Sequence, residues 1–326
     1  MRPAEQETHH EHDGQRPGAF EPMTSPLLRL ISPSGALPEP QRLERARQRL
    51  RELGWRVEID TAAARRSARF AGTDAQRLAA LHRAARSGAE VVMATRGGYG
   101  LSRLLHRIDY ALLDDAIRNR GQRWVGHSDF TALQLALLAR SGAVTFSGPM
   151  ADYDFAGDTL DEITADSLVD ALDGSQEAIG FACADAPRGL DARGVLWGGN
   201  LSMVCSVVGT PYLPAVDGVL FVEDVGEHPY AIERLFAQLL HAGVLQRQRA
   251  IVLGAFTGYR LVAHDAGYDL AQAIDWVRAQ LKPWRIPVLG GLPFGHQRTK
   301  VTLPHGAPCR VVRDGGEVYM LFEPTS

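Results

Sequence analysis

Ser128 lies in Trp124-Val125-Gly126-His127-Ser128-Asp129-Phe130-Thr131, where a short apolar strand runs into Gly-His-Ser-Asp. An apolar helix of about fourteen residues, Asp129 to Gly142, follows at once. A serine on a tight strand-to-helix turn is exposed at the sheet edge. Its hydroxyl lies over helix N–H groups that can hold a developing negative charge. That geometry suits a nucleophile, although Ser and Asp here also suit a plain helix cap. An activated serine needs a base within hydrogen-bond reach, and the base needs a partner that fixes its tautomer. Glu223 ends the apolar run Gly218 to Val222, and His296 follows another, Leu289 to Gly295. Each is a single ionisable group that an apolar strand delivers to a loop. Each also has a simpler use: Glu223, with Asp224 and Glu227, can cap a helix beginning near Tyr230, and His296 can be a satisfied loop histidine.

Two glycine-rich turns accompany them. Arg96-Gly97-Gly98-Tyr99-Gly100 sits between a strand and a helix, where glycines let backbone N–H groups approach an anion. It lacks the Lys-Ser/Thr of a P-loop and the full GxGxxG spacing. The same physics makes an oxyanion hole, with one N–H from this turn and one from Asp129. Trp197-Gly198-Gly199-Asn200 likewise brings backbone close to a substrate or a neighbouring strand.

Alternating strands and helices must position these residues. Leu27 to Ile31, Trp55 to Ile59, Glu90 to Thr95 and Gln122 to Gly126 read as strands. Between and after them, Pro40 to Leu53, Thr73 to Arg86 (Thr73 as N-cap), Leu101 to Ile108 and the stretch after Ser128 read as helices. This alternation predicts an α/β fold with a mostly parallel sheet, whose ligands bind beyond the C-terminal strand ends. Ser34, Arg96 to Gly100 and Ser128 all fall there. A helix over Asp161 to Leu172 leads to a linker at Gly174-Ser175. From about residue 180 a second, β-rich, barrel-like domain is predicted. Its strands are Gly194 to Trp197, Gly218 to Val222, Ala250 to Phe256, Ile286 to Gly290 and two or three within Lys300 to Phe322. Helices over Tyr230 to Leu245 and Asp269 to Leu281 interrupt them. The expected division is a disordered tail over residues 1–22, an α/β domain over 23–175 and the β-rich domain over 180–326.

Composition narrows the class. The 326 residues carry a net charge of −3, so no basic surface advertises nucleic-acid binding, and no apolar run is long enough to span a bilayer. Three cysteines without a CxxC pair fit a reducing compartment, which points to the cytoplasm. Met1 to Pro22 is polar, lacks a signal-peptide core and carries His9, His10 and His12.

Seven blocks, in order, resemble the signatures of the LD-carboxypeptidase family. They are Arg96 to Gly100, Gly126 to Thr131, Phe146 to Met150, Trp197 to Leu201, Gly209-Thr210-Pro211, Val222-Glu223-Asp224 through Glu227-His228-Pro229, and Phe294-Gly295-His296. The match runs from about Leu28 to Arg310. The resemblance implies a Ser128–Glu223–His296 triad and selects Glu223 over Glu227, which spacing alone does not. With it come oxyanion donors at Gly98 and Asp129 and substrate contacts from Arg96, Gly97 and Asn200. It further implies a cytoplasmic homodimer that needs no metal or organic cofactor and hydrolyses the bond between diaminopimelate and terminal D-alanine in murein tetrapeptide. The alternative within the family is an acyl hydrolase that cleaves a peptidyl-nucleotide antibiotic for self-immunity. A long loop bearing an aromatic for base stacking would mark it, and the sequence offers no clear candidate. A non-catalytic protein that holds an anion on Arg96 to Gly100 is the reading from another class.

Overall fold

The computed structural model describes residues 25–323. The first part of the chain alternates β1 (Leu27–Ile31), α1 (Arg42–Glu52), β2 (Arg56–Ile59), α2 (Asp74–Arg86) and β3 (Val91–Ala94). It continues through α3 (Tyr110–Asp114), β4 (Arg123–Gly126), α4 (Thr131–Ser141), β5 (Thr145–Ser147) and α5 (Glu162–Asp173). The second part runs β6 (Ala178–Ala182), β7 (Asp191–Asn200), α6 (Leu201–Ser206), β8 (Gly218–Val225) and α7 (Pro229–His241). Then come β9 (Ala250–Thr257), α8 (Leu270–Leu281), β10 (Val288–Gly290), β11 (Leu303–His305), β12 (Pro308–Asp314) and β13 (Glu317–Phe322).

The strands form two sheets. The first has the order β11-β5-β4-β3-β1-β2, parallel throughout except for β11, which pairs antiparallel with β5. Apart from the edge strand β2, its strands are largely buried on both faces and alternate between two cores, as a period of two requires. Leu28, Leu30, Val91, Met93 and Val125 join one cluster, while Ile31, Val92, Ala94 and Trp124 join the other. The strand order reverses between β1 and β3, and the loops that follow these two strands meet there, with Gly35 N–H donating to Gly97 O at 3.0 Å. Such a switch point is where open parallel sheets place ligands.

The second sheet has the order β10-β9-β8-β7-β12-β13-β6, parallel from β10 to β7 and antiparallel beyond. α4 joins the two halves. Its sequence is apolar almost all round, and Thr131 through Leu137 are all buried, as expected of an interior helix. One core cluster runs from Val92 and Trp124 through Leu133 and Leu137 to Leu220, Val222 and Phe236. Burying each of these large side chains contributes on the order of 1.5–3 kcal/mol, so the halves share a core.

Several expectations are corrected. The second sheet is not a closed barrel: β10 and β6 are its two edges, and no hydrogen-bonded ladder joins them among the described residues. Leu101 to Ile108 is two 3₁₀ turns, Leu101–Arg103 and Leu105–Arg107, because i→i+3 bonds from Leu104 and Arg107 replace the α pattern. The chain also recrosses the division expected near residue 180, since β11 belongs to the first sheet. The expectations for residues 1–22 lie outside the described residues. No helix among the described residues is long and apolar enough to cross a membrane.

Candidate functional site

Glu223 sits near the end of β8, where the ladder with β9 slips between Val222 and Asp224. A bulge of this kind re-aims a side chain. The Glu223 carboxylate is fully buried and collects three donors: His296 Nδ1 at 2.8 Å, His296 N at 3.3 Å and Asn200 Nδ2 at 3.3 Å. The close approach depends on Gly295, which has φ 125° and would place a Cβ 2.9 Å from Glu223 Oε2. Thr257 Oγ1 donates to His296 O at 3.1 Å and pins the same loop to the end of β9. An imidazole whose Nδ1 is held by a carboxylate has its Nε2 set to accept a proton.

Ser128 follows β4 with only His127 between and has φ 62°, a left-handed conformation that is uncommon and strained for a residue with a side chain. It opens a 3₁₀ turn, Ser128–Phe130, that runs straight into α4. This is the backbone form of a nucleophile elbow. The turn brings His127 into the site, its ring centroid 5.1 Å from that of His296. His127 Nδ1 lies 2.9 Å from Gly148 O, and burial, followed by the charge of Lys300, holds its imidazole well below the usual histidine range. No hydrogen bond joins Ser128 to His296 among the described residues; such contacts commonly tighten only in the substrate complex.

The glycine turn is locked onto the serine turn. A Cβ added at Gly97 would stand 2.6 Å from Ser128 Oγ and 3.2 Å from the Asp129 nitrogen, so only glycine fits there. Asp129 Oδ2 accepts Leu101 N–H at 2.9 Å, tying the end of the glycine turn to the start of the helix. Burial raises the Asp129 carboxyl above the usual aspartate range. Arg77, wholly buried, donates to Pro33 O at 2.8 Å and Gly100 O at 2.9 Å and pairs with Asp74. Gly98, next to Gly97, has φ 99° and packs over Gly35. Arg96 Nη1 donates to Ala36 O at 2.8 Å, which fixes the Pro33–Leu37 loop against the turn.

Asn200, expected among the substrate contacts, makes its side-chain hydrogen bonds within the protein. Its Nδ2 donates to Glu223 Oε1 and, at 2.9 Å, to Asp224 Oδ1, and its Oδ1 caps α6 by accepting Met203 N–H. It is the register partner of Glu223 across β7 and β8, so the pairing follows from strand alignment, which spacing in the sequence does not reveal. The sequence reading also missed Asp224, which accepts from Ser202 N and Oγ, and Thr131, whose Oγ1 accepts Asn200 N–H at 3.1 Å across the two halves. Glu227, the last carboxylate of the run, is partly exposed.

The LD-carboxypeptidase N-terminal domain matches residues 28–148 and the C-terminal domain matches residues 193–311. The chain is 32% identical over 285 residues to a probable murein peptide carboxypeptidase of Bacillus subtilis, covering 85% of this chain and 86% of that protein. It belongs to the LD-carboxypeptidase family. As a member it is a peptidase, and its fold superposes on the crystal structure of muramoyltetrapeptide carboxypeptidase from Oxalobacter formigenes. That match has a TM-score of 0.83 and 37% identity and spans 92% of this carboxypeptidase and all of the other chain. The carboxypeptidase is also 26% identical over 259 residues to the microcin C7 self-immunity protein MccF of Escherichia coli, covering 70% of this chain and 72% of that protein.

Proposed function

We propose that the protein is a serine-type LD-carboxypeptidase that removes terminal D-alanine from murein tetrapeptide by cleaving its bond to the L-configured centre of diaminopimelate. The observation that carries this reading is the pairing of buried Glu223 with His296 beside the strained Ser128 turn. In the proposed reaction His296 takes the Ser128 proton as the serine attacks the scissile carbonyl, while Glu223 orients and stabilises the imidazolium. The N–H groups of Asp129 and Gly98 hold the tetrahedral oxyanion. His296 then protonates the leaving D-alanine amine, and water, activated by the same imidazole, releases the acyl group from Ser128. Gly97 keeps side-chain atoms out of the space beside the hydroxyl. Arg96 holds the loop that walls this space and places a cation at its edge. The chemistry uses no metal or cofactor, and the homodimer implied by the family resemblance is part of the same proposal.

The test is release of D-alanine by purified protein from murein tetrapeptide, compared with pentapeptide and a peptidyl adenylate. Tetrapeptide is expected to be cleaved fastest. Preference for the adenylate would replace this reading with the self-immunity reaction, and no turnover of any of the three would refute the substrate class.

A further inference from the structure

The chain uses arginine almost exclusively as its cation: of 35 basic residues only Lys282 and Lys300 are lysines. Lys300 is wholly buried, four residues beyond His296, and its Nζ forms an ion pair with Asp154 Oδ1, itself buried. The same Nζ lies 4.7 Å from the centroid of the Tyr153 ring. Asp154 Oδ2 accepts Met150 N–H at 2.7 Å, so the carboxylate also shapes the loop that follows β5. Tyr153 meets the His127 ring edge-on at 6.4 Å. The pair therefore sits behind the two imidazoles of the site and joins residues 146 positions apart.

The backbone around Lys300 shows why a tie is needed there. His296 reaches Glu223 in the second sheet, but the residues after it leave that sheet. Thr299 Oγ1 donates to Asp161 Oδ2 at 2.7 Å, Lys300 N–H to Thr164 Oγ1 at 3.0 Å and Thr302 N–H to Ser167 Oγ at 2.9 Å, all on or at the start of α5. The loop carrying the imidazole is thus stitched to the half of the molecule that carries Ser128. A buried ion pair is seldom more stabilising than well-packed apolar side chains of similar size, so stability alone does not call for one here.

We propose that Lys300 and Asp154 are positioning residues for catalysis: their ion pair clamps the His296 loop onto the serine-bearing half and keeps the charge behind the imidazole balanced. The groups facing His296 are Glu223 from β8, His127 from the turn after β4, and Asp154 and Lys300 from behind, with Tyr153 over the ammonium. Burial raises the Asp154 carboxyl, with Lys300 opposing, and the ammonium in turn disfavours protonation of His127. Removing one partner leaves the other charge uncompensated beside both rings.

This inference rests on His296 being the base. The experiment is the pH profile of kcat/KM on murein tetrapeptide for Asp154→Asn, Lys300→Met and the double variant, with His296→Ala as control. Asp154→Asn is expected to move the acid limb to lower pH and Lys300→Met to higher pH, each by about one unit. Each is also expected to lower kcat at least about tenfold with little change in KM, the pattern of misplaced catalytic groups. The double variant leaves no unpaired charge, so it should keep the wild-type limb and still show the lowered kcat; it decides the matter if a single variant does not fold. A double variant with wild-type kcat, or folded single variants with unmoved limbs, overturns the proposal. An active His296→Ala instead overturns the functional reading on which it rests.

Discussion

The two halves of the site are held by opposite means. On the serine side, position comes from steric exclusion: Ser128 is bent into a left-handed conformation, and Gly97 packs so closely that a single added carbon would meet the hydroxyl. On the acid–base side, position comes from polar connection. Glu223, Asn200, Asp224, Ser202 and His296 form one hydrogen-bonded chain, buried at Glu223, Asn200 and Asp224 and anchored on adjacent strands. The nucleophile must be exposed to substrate and so has few groups to bond to, leaving backbone strain and packing to aim it. A fully buried carboxylate is tolerable only if donors surround it. The serine side should therefore fail when atoms are added, and the acid–base side when polar atoms are removed.

The largest effect should come from deleting the reacting atom. Ser128→Ala is expected to lower turnover by several orders of magnitude, on the scale of about 10⁴–10⁶ known for triads. Thermal unfolding should move only a few degrees. Next, Glu223→Gln should cost up to about 10⁴ in kcat by presenting the wrong group to Nδ1, whereas Glu227→Gln on the same run should change it little. Steady-state kinetics that reversed the two would make Glu227 the orienting carboxylate.

Two smaller substitutions sharpen the contrast between adding and removing atoms. Gly97→Ala pushes a methyl group against Ser128 Oγ and should cut kcat/KM at least about tenfold, with a stability cost of about 1–3 kcal/mol. Asn200→Ala takes a donor from Glu223 and Asp224 together with the cap of α6. It should cost about 1–3 kcal/mol in denaturant unfolding and depress kcat more than KM. If Asn200→Ala raised only KM, the residue would be a substrate contact after all.

A further effect, away from the site, concerns stability against pH. His305 is buried between the sheets, neither ring nitrogen has a hydrogen-bond partner among the described residues, and burial lowers its pKa to about 3. Its unfolded counterpart titrates near 6.5, so between about pH 6.5 and 3 the unfolded chain binds a proton that the folded chain does not. Stability contributed by the neutral ring is complete above that window and is lost as pH falls through it, by about 1.4 kcal/mol per unit. Comparing unfolding of wild type and His305→Leu across the window isolates this slope from buried carboxyls such as Asp129, which act in the opposite direction. Parallel curves would show that His305 is protonated in the fold.

How much of this was legible in the sequence follows from range. Strand–helix alternation and the Thr73 cap are local, and the structure has them where periodicity and capping chemistry place them, including a full capping box at Thr73. Some short elements escaped: β5, β6 and α6 carry too few residues to show a period. The residues to watch, Ser128, Glu223 and His296, were visible as single polar groups ending apolar runs. What holds them was not. Asn200 reaches Glu223 through strand register, Asp129 reaches Leu101 across two loops, and Lys300 reaches Asp154 from the far end of the chain. The expected barrel failed for the same reason, because closure depends on which edge strands pair, and alternation within one strand carries no record of that.

The central claim is that Ser128 is a nucleophile whose reactivity is made by the Glu223–His296 pair. Mass spectrometry of the intact protein after reaction with a fluorophosphonate tests it directly. One covalent adduct is expected, located on Ser128, forming in step with loss of activity and slowed by orders of magnitude in His296→Ala. An unlabelled enzyme that stays active, or an adduct on another residue that accounts for the inactivation, would contradict it.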